Sequence, residues 1–203
     1  MEKYTYKNII IHSLVPIIMM IFNSLYSVVD GLFLSNFAGN EAFAAVGFIM
    51  PYLMLFSSTG FMLGTGGSAL ISKTLGENKG KAANEIFTNI VGFSVLLGLV
   101  FLVIGNLLLS PVIAMQGANE VLRNNSIAYS RIYLIGIPAC IIQFEFQAFY
   151  SAAGKKNVGL FASLLAGILN IALDYIFLKQ FSLGLEGAAL ASIISSTLGL
   201  YFQ

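Results

Sequence analysis

Ile86–Leu109, IFTNIVGFSVLLGLVFLVIGNLLL, runs 24 residues without one charged side chain. A helix rises about 1.5 Å per residue, and about 20 apolar residues cross the hydrocarbon core of a bilayer. A barrel strand would alternate polar and apolar at every second residue, which this stretch does not do. It reads as a transmembrane helix. Five further stretches read the same way: Ile9–Ser35, Ala42–Ser72, Ser126–Ala153, Val158–Leu178 and Gly187–Phe202. Short polar breaks separate them, and no hydrophilic domain interrupts the chain. The expected fold is all-α, a polytopic membrane bundle of six transmembrane helices over residues 1–203.

Composition points to the same class. Of 203 residues, 58% are apolar and 9% are charged, against roughly 25% charged in a soluble domain. A soluble fold has no way to hide so much apolar surface, whereas a bilayer accepts it. The formal net charge of +1 offers no basic surface for nucleic acid. Cys140 is the single cysteine and His12 the single histidine, so an internal disulfide and a histidine metal cluster are excluded. Cys140, inside an apolar run, reads as a small core residue. The first apolar run is longer than the roughly 7–15 residues of a signal peptide core, and no small-x-small cleavage site follows. It reads as a retained helix.

Basic residues set the expected orientation. Lys3 and Lys7 precede the first span, Lys73, Lys79 and Lys81 follow the second, and Lys155 and Lys156 follow the fourth. The opposite side has Arg123, Lys179 and Arg131. That split places both ends in the cytoplasm, in a plasma or inner membrane, and agrees with an even number of spans. The short last span stops at Gln203 without a basic flank, which reads as truncation. Pro16, Pro51 and Pro138 fall within or at the edge of spans. Each removes a backbone donor and tends to kink its helix; Pro16 reads either as a hinge or as a tolerated proline.

Three carboxylates lie within spans: Asp30, Glu145 and Asp174. A charge at the bilayer centre costs about 2.5–3.5 kcal/mol on insertion scales. Such a residue faces the bundle interior or a watery cavity, or carries a proton. By helical rise, Asp30 lies about 9 Å below the outer end of the first span, and Asp174 sits at a similar depth in the fifth. Asn170, four residues earlier, shares a face with Asp174. Ser192 lies within two turns of the outer start of the sixth. Four oxygen-bearing side chains from three helices thus reach one layer. Their oxygens suit a hard cation such as sodium, and a carboxyl in a dry interior also accepts a proton. Taken alone, Ser192 reads as a helix-packing hydroxyl. Glu145, flanked by Gln143 and Gln147, either lines a cavity with them or snorkels to the surface.

Gly60, Gly64, Gly66 and Gly67 precede Ser68 and Lys73, but no Gly-Lys-Ser/Thr follows, so the phosphate-loop spacing is absent. Gly60 with Gly64, and Ala188 with Ser192, instead form small-xxx-small faces for close helix packing. A serine hydrolase within the membrane would need a base beside its nucleophile. His12 lies near the end opposite Ser192, and no Gly-x-Ser-x-Gly occurs; the chain does not read as an enzyme.

Pro16 followed by Val29-Asp30-Gly31-Leu32-Phe33-Leu34-Ser35 resembles the opening of the multidrug and toxic compound extrusion (MATE) transporters. So do Gly64-Thr65-Gly66-Gly67-Ser68-Ala69-Leu70-Ile71-Ser72 with Leu75-Gly76-Glu77, and Asn170-x-x-x-Asp174 before Gly187-Ala188-Ala189-Leu190-Ala191-Ser192. The glycine stretch is most similar to the MepA-like branch. The resemblance implies twelve helices in two lobes around a substrate cavity, with this chain as the amino-terminal lobe. It implies a proton or sodium site at Asp30, Asn170, Asp174 and Ser192, where the family commonly has threonine in place of Ser192. It also implies a bend at Pro16 that changes with protonation. The function it implies is secondary multidrug efflux, antiporting cationic or amphipathic compounds against protons or sodium. No cofactor beyond the coupling ion is expected. The partners are the lipid bilayer, a small amphipathic or cationic substrate, and a missing carboxy-terminal lobe or second chain. A flippase for a lipid-linked substrate is the alternative transport reading, though almost no basic residue lies within the spans. A non-transporting membrane fragment or assembly subunit is the other alternative.

Overall fold

A computed structural model describes residues 6–201. Seven α-helices follow one another among them: α1 (Tyr6–Phe33), α2 (Asn40–Gly76), α3 (Gly80–Met115), α4 (Glu120–Ile135), α5 (Ile137–Ala152), α6 (Lys156–Asp174) and α7 (Gly184–Tyr201). Two π-helical segments interrupt the α pattern, Leu34–Ala38 directly after α1 and Tyr175–Gln180 directly after α6. No strand occurs among the described residues.

Among the described residues three helices are long and apolar enough to cross a membrane: α2, α3, and α6 with its π-helical extension, over Asn157–Gln180. The pair α4 and α5 makes a fourth crossing if counted as one span, bent by 59°. The expected span Ser126–Ala153 is built as two helices, α4 and α5, that meet at Gly136. The cause lies in the sequence there. Gly136 ends α4, and Pro138, in the first turn of α5, has no N–H to continue the ladder backwards. At the other end of α4, the Asn119 side chain accepts a hydrogen bond from the Leu122 N–H at 2.8 Å, a standard N-cap. Pro51 and Pro111, by contrast, lie inside the unbroken α2 and α3.

Helix α2 occupies the centre, packed against α3, α4 and α5, while α1 packs on α6 and α6 on α7. The core joins Ile49 and Leu53 of α2 to Leu109 and Ile113 of α3, Leu134 of α4, and Ile137 and Ile141 of α5. The expected small-residue face of α2 is where α5 comes closest. A Cβ on Gly60 would overlap the backbone of Ile141, and one on Gly64 would lie 2.7 Å from Glu145 Cα. Both helices advance by four residues between these contacts, so one face of each stays in register. Two buried hydrogen bonds pin neighbours to α2. The Tyr52 hydroxyl donates to the Gly105 carbonyl at 2.7 Å, and the Ser126 hydroxyl to the Ala45 carbonyl at 3.2 Å.

The outward face is apolar. On α3, Phe93, Leu96, Leu99, Val103 and Leu107 are exposed in one succession, as a lipid-facing helix requires. At one end of the bundle, the last turn of α2, the start of α3 and the connection from α5 to α6 enclose a cavity of about 350 Å³ whose lining includes Ser72, Phe87 and Lys155.

Candidate functional site

Helices α1 and α6 run side by side in the same direction, and one contact sets their register. A Cβ on Gly167 would lie 2.7 Å from the ring of Phe22, so glycine there lets α1 approach closely. From Phe22 to Asp30 is eight residues, and from Gly167 to Asp174 seven, each about two helical turns. The two acids therefore arrive at the same height. Their carboxyl groups come within hydrogen-bonding reach of one another. One turn further, the rings of Phe33 and Tyr175 meet edge-on at 6.4 Å. Lys179 then places its ammonium 4.7 Å from the centre of the Tyr175 ring and 5.9 Å from that of Phe37. Both acids sit within one turn of an α-to-π transition. Such transitions widen the helix locally and recur at functional sites.

Asp174 is fully buried, and neither of its oxygens has a hydrogen-bond donor; the same holds for the buried Asn170 Oδ1. Two carboxylates offer only acceptors to each other. A proton on one makes it a donor to the other, and a cation between them closes the same gap. Tyr26, one turn before Asp30, and the buried Tyr129 of α4 lie close enough to feel both acids, and Tyr129 meets the Ser192 side chain. Three of the four expected site residues, Asp30, Asn170 and Ser192, line a cavity of about 280 Å³ between α1, α2, α4, α5, α6 and α7. Asp174 lies behind that lining, beside Asp30.

Gln143 and Gln147 line the same cavity. They are four residues apart and share a helical face, and the Gln147 amide donates to the Ser163 hydroxyl at 3.2 Å. Glu145 is absent from the lining. It is fully buried, so it neither joins the two glutamines nor snorkels to the surface. Two residues from each of them, it faces the opposite side of α5, toward Gly64 of α2. The helix α1 continues unbroken through the backbone of Pro16. Its side chain, those of Lys7, His12 and Lys156, and residue Lys3 lie outside the described residues. Cys140 is buried and free, at the edge of the cavity.

Sequence reasoning passed over Tyr26, Tyr129 and Ser163. Tyr26 had a usable signal, its four-residue spacing from Asp30. Tyr129 had none, because only the packing of α4 on α7 brings it to Ser192. Among the described residues no group of three or more His, Cys, Asp or Glu side chains gathers as a metal site.

A family model, MatE, matches residues 16–176. The chain is 27% identical to "Probable multidrug resistance protein YoeA" of Bacillus subtilis over 188 residues, spanning 90% of this chain and 41% of that protein. It is 25% identical over 202 residues to the multidrug export protein MepA of Staphylococcus haemolyticus, spanning 99% of this chain and 45% of that one. Among solved structures it superposes on a MATE protein in its bent conformation with a TM-score of 0.88 at 27% identity, covering 96% of this chain and 43% of the other. The chain spans less than half the length of the curated relatives it matches.

Proposed function

We propose, from the premise that this chain belongs to the MatE family, that it forms a six-helix membrane lobe of a secondary multidrug efflux transporter. The complete transporter exchanges cationic or amphipathic compounds for protons or sodium ions. The observation that carries this reading is the facing pair Asp30 and Asp174, within hydrogen-bonding reach and with both Asp174 oxygens lacking donors. A proton or a sodium ion is what such a pair lacks. Asn170 and Ser192 supply further oxygens to the cation, and Pro16 serves as the bend of α1. The names of the relatives, multidrug export proteins, motivate the substrate class.

In this reading α1 and α7 complete the set of membrane spans, both ends of the chain lie in the cytoplasm, and a second lobe or chain supplies the facing wall. Binding of the coupling ion cancels the repulsion between the two carboxylates and lets α1 settle against α6. Its release separates them, and the lobes rock between inward and outward openings. The cavity, lined in part by Gln143 and Gln147, receives substrate on the face that the ion pocket adjoins.

The test replaces Asp30 or Asp174 by asparagine in the full-length protein and follows dye efflux under an imposed proton gradient and, separately, a sodium gradient. Both variants should lose the gradient-driven component. Undiminished ion-driven efflux in both would overturn the assignment.

A further inference from the structure

Glu145 belongs to neither the cavity nor the acid pair, yet it is fully buried and both of its carboxyl oxygens lack a hydrogen-bond partner. It sits in α5 about 10 Å before the end of that helix at Ala152. On the α2 side there is no room for a layer of water. A Cβ added to Gly64 would lie 2.7 Å from Glu145 Cα and 2.8 Å from its carbonyl oxygen. From α3 comes Ser94, also fully buried, whose hydroxyl is itself without a partner. Among the described residues Ser94 is the side chain placed to hydrogen-bond the carboxyl.

Among the described residues no charge faces this spot from any helix packed on α5. The ionisable groups of α2 lie toward its ends, at Glu41 and Lys73, apart from Tyr52, which is engaged with Gly105. Those of α3 are Lys81 and Glu85, in its first turns. On α4, Glu120, Arg123 and Arg131 point to the surface, while Tyr129 and Tyr133 stack on each other. Asp174 of α6 is engaged with Asp30, and Glu186 of α7 is exposed. Tyr150, on α5 itself, lies beyond Glu145 toward the helix end.

A carboxylate enclosed this way has no counter-charge and one hydroxyl for company, a costly arrangement. A carboxylic acid is both donor and acceptor and matches a serine hydroxyl in either sense. We propose that Glu145 and Ser94 form a second proton-binding site, separate from the Asp30–Asp174 pair, which keeps its proton while α2, α3 and α5 are packed and releases it when their seam opens. The route outward is at hand. Phe146 and Phe149, the next residues along α5 on that side, line the 350 Å³ cavity that opens beside Lys155. Parting α2 from α5 by the width of one water joins that cavity to the carboxyl. The site makes the packing of this seam sensitive to pH, whatever ion occupies the other pocket.

The experiment records the carboxylic acid C=O stretch by infrared spectroscopy on the full-length protein in liposomes at neutral pH. The background is the double variant Asp30→Asn, Asp174→Asn. A protonated-carboxyl band should persist there, shift in protein grown on isotopically labelled glutamate, and vanish when Glu145→Gln is added. Ser94→Ala should move the band by removing its hydrogen bond. No band in the double variant, a band that does not respond to labelled glutamate, or one that survives Glu145→Gln would overturn the proposal. The labelling arm needs no substitution at Glu145, so a misfolded Glu145→Gln does not blunt the test. Efflux by the aspartate variants is read separately, so failure of the transport reading and failure of this site remain distinguishable.

Discussion

Replacing Gly64 by alanine should loosen the α2–α5 seam measurably, and the structure gives the scale. The added Cβ would lie 2.7 Å from Glu145 Cα, 2.8 Å from its carbonyl oxygen and 3.0 Å from the Ala148 Cβ. Two of those three neighbours are backbone atoms and do not rotate away, so one helix must shift. Overpacking of this kind costs about 1–3 kcal/mol. Alanine gives back about 0.5–1 kcal/mol as the better helix former, which leaves, at mid-range, a net loss of about 1 kcal/mol. For a chain of this size, each kcal/mol lowers Tm by about 2–4 °C, so the expected drop is on the order of 2–4 °C. Gly66→Ala is the matched control, because a Cβ there meets nothing within 4 Å; it should hold or raise Tm. Cys140 makes the assay direct. It is the chain's single thiol, lies on α5 close to the seam, and is buried, so a thiol-reactive fluorophore reports its exposure on heating. If Gly64→Ala melts with wild type, or if Gly66→Ala falls as far, the close approach of α2 to α5 is not what holds these helices.

Further expectations follow from single contacts. Gly167→Leu would push Phe22 aside and slide α1 against α6; ion-driven efflux should fall although both acids remain, and disulfide crosslinking between cysteines placed on the two helices should lose its register. Tyr52→Phe deletes the 2.7 Å bond to the Gly105 carbonyl and should cost about 0.5–1.5 kcal/mol in a denaturant titration, with efflux kept in the folded fraction. Asn119→Ala removes the cap on α4; about 1 kcal/mol should disappear, seen as faster amide exchange in the first turn of α4. Gln147→Leu frees the Ser163 hydroxyl and makes one wall of the cavity apolar, so the preference among cationic dyes should change while the ion dependence stays.

Height along a helix was legible in the sequence, whereas rotation about it was not. Counting residues placed Asp30, Asn170, Asp174 and Ser192 in one layer, because helical rise is nearly constant. Whether Asp30 turned toward Asp174 depended on how α1 seats on α6, which the Phe22–Gly167 contact decides. The break at Gly136 had a signal in Pro138, which the sequence marks as a kink in the Ser126–Ala153 span; the size of the bend, 59°, had none. The π-helical segments had none: a ladder that slips from four residues to five leaves composition and hydrophobic pattern untouched. Glu145 is the instructive case. Its neighbours Gln143 and Gln147 share a face, and simple spacing puts a residue midway between them on the other side, yet proximity in sequence grouped the three together.

Three acids within the bundle share a deficit of partners, and that links conformation to ion occupancy. Asp174 and Glu145 are fully buried without donors, and Asp30 faces Asp174. Leaving each charged within the membrane costs up to about 2.5–3.5 kcal/mol, the figure for the bilayer centre, while a whole domain is stable by about 5–15 kcal/mol. Three such charges would consume most of that margin, so the packed arrangement requires that they be neutralised by a proton or a cation. Whatever neutralises them therefore binds the packed form more tightly than an open one, and only such differential binding shifts a conformational equilibrium. The acids lie in two places: one pair between α1 and α6, and one residue between α2, α3 and α5. Occupancy of the first biases α1, the helix that borders the cavity. Occupancy of the second biases the central seam at a different depth. In the proposed transporter, two separable seams, each closed by its own neutralised carboxyl, would let one lobe respond to two binding events at different moments of a cycle.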